Sequence, residues 1–176
     1  MKRSVKVWQL AGFLFTAIAG TLLHFLYDWS GQSVLIAPFS AVNESIWEHM
    51  KLLFFPMLLF AAVESRFLAG KSPNFWWAKL LGIAAGLLLI PVLYYTYTGA
   101  LGISADWFNI TIFFIAAGVT YCLEARLLQV GKPDWPYPLA AVFLLLLIAV
   151  FFVLFTFSPL QIPLFQDPQT GHLGRI

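Results

Sequence analysis

The amino-acid sequence predicts an all-α fold, a polytopic membrane bundle of five transmembrane helices. Its 176 residues are 61% hydrophobic and 18% aromatic, with a mean hydropathy of +0.85, whereas soluble domains are about 45–50% apolar. Crossing a bilayer takes about 20 predominantly apolar residues. Five stretches have this character, and the short connections between them leave no room for a soluble domain, so residues 1–176 are predicted to form a single transmembrane domain. The predicted spans are Trp8–Tyr27, Ile46–Val63, Trp76–Tyr95, Trp107–Leu123 and Tyr137–Phe157.

The first span shares features with a secretory signal, because "KRSVK" precedes an apolar run that contains "AIA" at Ala17–Ala19. The run does not stop there but continues through Leu22 to Tyr27, which gives it membrane-spanning length. We therefore expect an uncleaved helix.

The later spans carry residues typical of packed membrane helices. Pro56 and Pro91 are expected to kink the second and third spans. Gly82 and Gly86 form a G-x-x-x-G pair, which lets helices approach closely. Lys79, near the start of the third span, is expected to extend its ammonium group to the interface.

The distribution of cations predicts the orientation. With a cytoplasmic N-terminus, only Lys51 and Arg175 of the ten Lys and Arg residues lie outside, in agreement with the positive-inside rule. The seven tryptophans fall at predicted span ends, where their rings favour the headgroup region. We expect a multi-pass protein of the cell membrane with its C-terminus outside, in contact with the lipid bilayer. The net charge of +2 then reflects topology, and no nucleic-acid partner is expected.

Aligning the chain with itself indicates an internal repeat. "AAVESRFLAGKSPNFWW" after the second span matches "YCLEARLLQVGKPDWPY" after the fourth, so that Glu64 aligns with Glu124. Spans two and three would then be repeated, in parallel orientation, as spans four and five. We interpret both glutamates as residues that end helices at the cytoplasmic interface. Glu48 and His49 align with Phe108 and Asn109, so the second copy lacks these ionisable groups.

Histidines and carboxylates gather at the predicted outer ends of the first two spans. His24 and Asp28 are four positions apart, as are Glu44 and Glu48, so each pair projects from one helix face. Together with His49 they predict a site in which His24, Asp28, Glu48 and His49 hold a divalent metal such as zinc. Glu48, His49 and Glu44 are the candidate catalytic acid–base groups.

A structural interpretation of the same residues remains open. Asn43 or Ser40 can cap the second helix, and Glu44 then complements the positive end of its dipole. Glu48 can pair with Lys51 three positions later. Trp47 is expected to face the headgroups. His24 lies within an apolar run and needs a polar partner, so we expect one of these carboxylates within hydrogen-bond or shared-ion distance of it.

Two further outer segments can complete a pocket. Residues 30–43 contain Gly31 and Pro38 and are too short to span, which predicts an interfacial or re-entrant loop. The tail, residues 158–176, is rich in proline and contains the turn signal "DPQTG". It either docks on the outer face, bringing Asp167 or His172 toward the cluster, or remains disordered.

The segments "HFLYDWSG", "VNESIWEHMK" and "PLFQDPQTG" together resemble an uncharacterised family of small prokaryotic integral membrane proteins. This resemblance covers nearly the whole chain. It implies a multi-pass membrane fold and supplies no activity, ligand or catalytic residue.

Three classes of function remain open. The first is a metal-dependent or acid–base membrane enzyme that acts on a lipid-borne or outer-face substrate. The second is a small transporter or channel, formed as a homo-oligomer because five short spans enclose little volume. The third is a non-catalytic assembly or accessory protein. The sequence alone does not distinguish an enzyme from the other two classes.

Overall fold

The computed structural model describes residues 2–130 and 137–174 and shows five α-helices joined by short connections. All five are long and apolar enough to cross a membrane, which confirms the predicted fold class. Lys132, Trp135 and Arg175, used in the orientation argument, lie outside the described residues. The helices are α1 (Lys2–Trp29), α2 (Ile46–Leu68), α3 (Phe75–Leu101), α4 (Asp106–Leu127) and α5 (Pro138–Phe157), followed by a 3₁₀ turn at Pro163–Phe165.

The helices form a bundle whose interior is built mainly by α2, α3 and α4. α3 packs against α2, α4 and α5, while α1 packs against α2 and α4. Leu53, Phe54 and Ile83 are completely buried in the core. Large apolar side chains such as Leu88 and Leu139 instead cover the outside of the bundle, as expected for a surface in contact with lipid.

The glycine pair in α3 has the close-packing role that its spacing predicts. A Cβ atom at Gly82 would lie 2.4 Å from Cγ of Glu124, and one at Gly86 would lie 2.2 Å from Oγ1 of Thr120. Both distances are far below van der Waals contact, so α4 can approach α3 here only because these positions lack side chains. The Thr120 hydroxyl uses this proximity to donate to the carbonyl of Gly82 at 3.0 Å.

The predicted repeat stays a prediction. α2 packs directly against α3, whereas in the described part of the chain α5 packs against α3 and α2 and has little contact with α4. The two hairpins therefore differ in mutual packing, and this difference counts against a structural repeat.

Two segments cover the end of the bundle that carries His24, here called the His24 end. In the segment between α1 and α2, the buried Ser40 hydroxyl accepts from the backbone N–H of Tyr27 at 2.9 Å and donates to the carbonyl of Leu23. In the C-terminal segment, Gly174 accepts from the Asn43 side-chain amide at 2.7 Å. Of the two alternatives for the tail, the structure shows docking.

Trp47 packs against aromatic rings of α5 and of the tail, and its expected position at the headgroups stays a prediction. The centroid of the Phe165 ring, in the docked tail, lies 4.6 Å from that of the Trp47 ring. The centroid of the Phe152 ring, on α5, also lies 4.6 Å from that of Trp47. Phe165 is 97% buried, since only 3% of its surface is exposed. The tail therefore covers Trp47. The residues around Trp47 in the sequence did not predict this contact.

Candidate functional site

The side chains of His24, Glu44 and His49 converge at the His24 end. They come from α1, from the turn that precedes α2, and from α2. His24 lies in the last two turns of α1, and His49 lies in the first turn of α2. Ser45 is the N-cap of α2, and its hydroxyl accepts from the backbone N–H of Glu48 at 3.4 Å. The sequence suggested Asn43 or Ser40 as the cap, and this was wrong. Glu44 precedes the cap and therefore lies outside the helix.

The three ligand atoms of His24, Glu44 and His49 all lie within 4.8 Å of one another. Oε2 of Glu44 is 3.7 Å from Nε2 of His24 and 3.4 Å from Nε2 of His49. The two imidazole rings meet edge to face, with 5.3 Å between centroids. The expectation that at least one carboxylate lies close to His24 is therefore confirmed.

The proton on His49 is fixed by a backbone contact. Nδ1 lies 2.9 Å from the carbonyl oxygen of Ser45, and because a carbonyl only accepts, Nδ1 carries a proton and donates it. Nε2 of a neutral His49 is then an acceptor that faces the Glu44 carboxylate at 3.4 Å. Two acceptors at this distance repel one another unless a proton or a metal cation lies between them.

Glu44 is ionised at neutral pH and connects the cluster to the tail. The nearby His24 imidazole lowers the pKa of the Glu44 carboxyl, and burial opposes this shift without cancelling it. The backbone N–H of Glu44 donates to Oδ2 of Asp167 at 3.4 Å. Burial acts to raise the pKa of Asp167, but backbone donors at Gln169, Thr170 and Glu44 outweigh it, so the pKa is lowered.

A cavity of about 300 Å³ opens beside the cluster, between α1 and α4. His24, Glu44, His49, Asn109 and Gln169 line its polar end. The remaining wall is mostly apolar and aromatic, and it extends further along α1 and α4. This part of the wall is formed by Gly20, Thr21, Phe25, Leu52, Ile110, Phe113 and Phe114.

Asp28 and Glu48 are not part of this arrangement. Asp28 is exposed at the end of α1 and lies outside the group of mutually close ligands. Glu48 is turned into the bundle, where its Oε2 lies 2.5 Å from Nζ of Lys51 and accepts from the backbone N–H of Val42 at 2.9 Å. Its side chain is only 2% exposed, so it belongs to a buried ion pair and not to the cavity. His172, in the tail, is exposed.

Sequence reasoning missed two polar residues at the cavity. Asn109 is held by Tyr97, whose hydroxyl donates to Oδ1 at 2.5 Å. The alignment of Asn109 with His49 in the predicted repeat was not a sound signal, because the packing of the two hairpins counts against that repeat. Gln169 reaches the cavity only because the tail docks, and neither its residue type nor its neighbours indicated this.

A family model matches residues 1–175. The chain belongs to DUF6512, a family of unknown function. This membership confirms the resemblance to an uncharacterised family found from the three sequence segments. No curated protein and no solved structure gives a significant match to the chain. The family therefore assigns no activity, and any function has to be argued from the geometry of the site.

Proposed function

We propose that the protein is a metal-dependent membrane enzyme that holds a divalent ion of the zinc class between His24, His49 and Glu44. The observation that carries the proposal is the pair of acceptors described above, Nε2 of His49 and Oε2 of Glu44, 3.4 Å apart. A metal cation satisfies both atoms, and two imidazoles with one carboxylate are an ordinary ligand set for catalytic zinc.

The separations from the Glu44 carboxylate to each of the two imidazoles are compatible with such an ion. Zinc bonds to nitrogen and oxygen are about 2.0–2.2 Å long, so two ligands of a tetrahedral ion are about 3.4 Å apart. The His49–Glu44 distance of 3.4 Å and the His24–Glu44 distance of 3.7 Å lie close to this value. The hydrogen bond from Nδ1 of His49 to Ser45 is the usual outer contact that orients a ligating imidazole.

An ion held by these three residues would have a fourth ligand position for a water or a substrate, and the cavity that the residues line would give access to it. A metal of this class lowers the pKa of a bound water to about 7 and polarises carbonyl or phosphoryl oxygens. This chemistry suits hydrolysis of an ester or phosphoester.

The cavity supports a substrate that is itself a membrane lipid or is attached to one. Its polar end presents Asn109, whose orientation Tyr97 fixes, and its apolar wall contains Phe25, Ile110 and Phe114. These three side chains are also exposed on the surface of the bundle, Ile110 at 59%. An amphipathic molecule can therefore keep its chains against lipid while its head group reaches the ligands. The predicted orientation places this end in the outer leaflet.

Metal binding is tested on the detergent-purified protein. Bound metal is removed first, and zinc is then titrated into the protein and its binding is measured by calorimetry. We expect one zinc per chain, and His24→Ala, His49→Ala and Glu44→Gln should each weaken binding by more than about 100-fold, beyond the loss typical for outer contacts. His172→Ala is the matched control, because it removes an exposed histidine outside the cluster. Absence of binding, or equal weakening in the control, would contradict the proposed ion.

Catalysis is tested separately in vesicles of phosphatidylglycerol and phosphatidylethanolamine loaded with the zinc-bound protein. Mass spectrometry should detect zinc-dependent loss of an ester or phosphoester group, abolished in His49→Ala and retained in His172→Ala. If zinc binds but neither lipid is converted, the metal site stands and hydrolysis of these bilayer lipids is wrong.

A further inference from the structure

A second ionic cluster lies at the opposite end of the bundle and takes no part in the proposed function. Nζ of Lys79 lies 2.5 Å from Oε2 of Glu64 and 2.5 Å from Oε2 of Glu124. All three side chains are at most 1% exposed. The sequence interpretation was therefore wrong here: Lys79 does not reach the interface, and the two glutamates do not simply end their helices. We call these three residues the Lys79 cluster.

The cluster contains more acceptors than donors. Gln9 of α1 donates from Nε2 to Oε1 of Glu64 at 2.7 Å, while its own Oε1 is buried and has no hydrogen-bond partner. Gln9 is 5% exposed. Oε2 of Glu64, by contrast, lies 2.5 Å from the Lys79 ammonium nitrogen. The unpaired Oε1 of Gln9 is costly in a buried position, and a further proton on the cluster would supply a donor for it.

Charge gives an independent reason for the extra proton. Two carboxylates face a single ammonium group, and among residues 2–130 and 137–174 Lys79 is the only cation that pairs with them. Aromatic groups surround the ammonium: the ring of Phe75 lies 5.5 Å from Nζ and the ring of Tyr121 lies 5.6 Å away. Tyr121 is the other titratable group facing the cluster from α4, and its hydroxyl is engaged with Thr16 of α1 at 2.8 Å.

An uncompensated carboxylate is unstable in such surroundings. Transfer of an isolated charge into an apolar region costs so much that the group usually becomes neutral instead. With one ammonium present, one carboxyl can stay ionised and the second takes up a proton. The two carboxyls share this proton as a coupled pair, because both contact the same ammonium.

We propose that the Lys79 cluster is a binding site for one exchangeable proton, held by Glu64 and Glu124. Gln9 can serve both states of Glu64. Its Nε2 donates to the ionised carboxylate, and after rotation of the amide its Oε1 accepts from the protonated acid. Gly82 of α3 is part of the same site, because a side chain at this position would push away the Glu124 side chain of α4.

Infrared spectroscopy of the protein in lipid nanodiscs tests the proposal, because a protonated carboxyl has a carbonyl stretch distinct from that of a carboxylate. The wild type should show the signal of one protonated carboxyl at neutral pH, shifted in deuterium oxide and lost at alkaline pH. Glu124→Gln and Glu64→Gln should each abolish it, since the remaining acid is then matched by Lys79. Asp28→Asn, which removes an exposed carboxyl, should leave it unchanged.

Lys79→Met provides an opposite readout, because without the ammonium both carboxyls should be protonated and the signal should double. Thermal unfolding establishes that each variant is folded. The wild-type spectrum decides the matter even if the variants do not fold: no protonated carboxyl at neutral pH, or one that does not exchange with deuterium, would overturn the proposal. So would a signal retained in both glutamine variants. None of these results depends on zinc binding at the other end.

Discussion

At the scale of single residues, two glutamates near the start of α2 have different roles. Glu44, just before the helix, is partly exposed and faces two imidazoles. Glu48, four positions later, is buried against Lys51. Their spacing suggested a shared face, but the capping of α2 by Ser45 puts Glu44 outside the helical register. A carboxylate's role here follows from its position relative to the cap.

The buried pair of Glu48 and Lys51 gives a stability prediction. Nζ of Lys51 also donates to the carbonyl of Ala37 and to Oγ1 of Thr156, each at 2.9 Å, so it joins three parts of the chain. Lys51→Met leaves the buried Glu48 without its opposite charge and should lower the free energy of unfolding by about 3–5 kcal/mol. Chemical unfolding in detergent measures this change.

The matched variant for this prediction is the double substitution Glu48→Leu with Lys51→Met. It removes both charges, and replacing a buried pair by apolar groups is often nearly neutral. The double variant should therefore recover more than half of the lost stability. A double variant as unstable as Lys51→Met alone would show that the ion pair is not the origin of the effect.

Asp167 predicts how docking of the tail depends on pH. Its pKa is lowered in the folded protein, so its contribution is fully present above the ordinary aspartate pKa of about 3.9 and is lost as the pH falls through the lower folded value. Hydrogen exchange of residues 158–174, corrected for intrinsic rates, should show protection at pH 5 that decreases below about pH 3.9. Asp167→Asn should reduce this protection at pH 5, whereas His172→Ala should not.

At the scale of helices, α1 packs closely against α2 and α4 at Gly20, which has no side chain. A Cβ atom at Gly20 would lie 2.6 Å from Cζ of Phe113 and 2.7 Å from the backbone oxygen of Leu52. The backbone of α2 cannot move aside easily, so Gly20→Ala should displace α1 and lower the free energy of unfolding by about 1–3 kcal/mol. It should also weaken zinc binding, since Gly20 is one turn from His24.

Gly118→Ala is the control for this substitution. It also lies inside a helix, and the nearest atom to its added Cβ would be Phe13 at 4.0 Å, an ordinary contact. Its helix should gain up to about 1 kcal/mol from the better propensity of alanine. Equal destabilisation by both substitutions would contradict the account of how α1 packs.

The five helices were predictable from the sequence because each has an apolar run of membrane length, and this property needs no knowledge of neighbours. The grouping of His24 with Glu44 and His49 was also within reach, since His24 lies near the end of α1 and His49 near the start of α2, the next helix in the chain. The Lys79 cluster was not. Glu64, Lys79 and Glu124 lie on three different helices, and hydropathy does not report which helix faces meet.

The rest of the site depended on long-range packing. Gln169 and Asp167 reach the His24 end because Phe165 packs on Trp47, a contact between segments that are far apart in the sequence. The turn residues of the tail allowed either docking or disorder. The apolar surface of α2 and α5, together with the hydrogen bonds from Asn43 and Glu44, favours docking.

At the scale of the whole molecule, ionisable groups are concentrated near the two ends of the bundle, and the predicted orientation assigns them to opposite sides of the membrane. Single cysteines test it in a Cys122→Ser background. A cysteine replacing Thr170 should react with an impermeant maleimide in intact cells, and one replacing Lys71 should react only after the membrane is opened. The reverse pattern would place the His24 end in the cytoplasm and exclude an outer-leaflet substrate.

The central claim is that His24, His49 and Glu44 jointly bind one metal ion, and X-ray absorption at the zinc edge tests it most directly. The zinc-loaded protein should show four nitrogen or oxygen ligands at about 2.0–2.2 Å, with the outer-shell scattering of two imidazoles. His49→Ala should remove one imidazole from this pattern. A spectrum of hydrated zinc without imidazole scattering, or one unchanged by His49→Ala, would contradict the account.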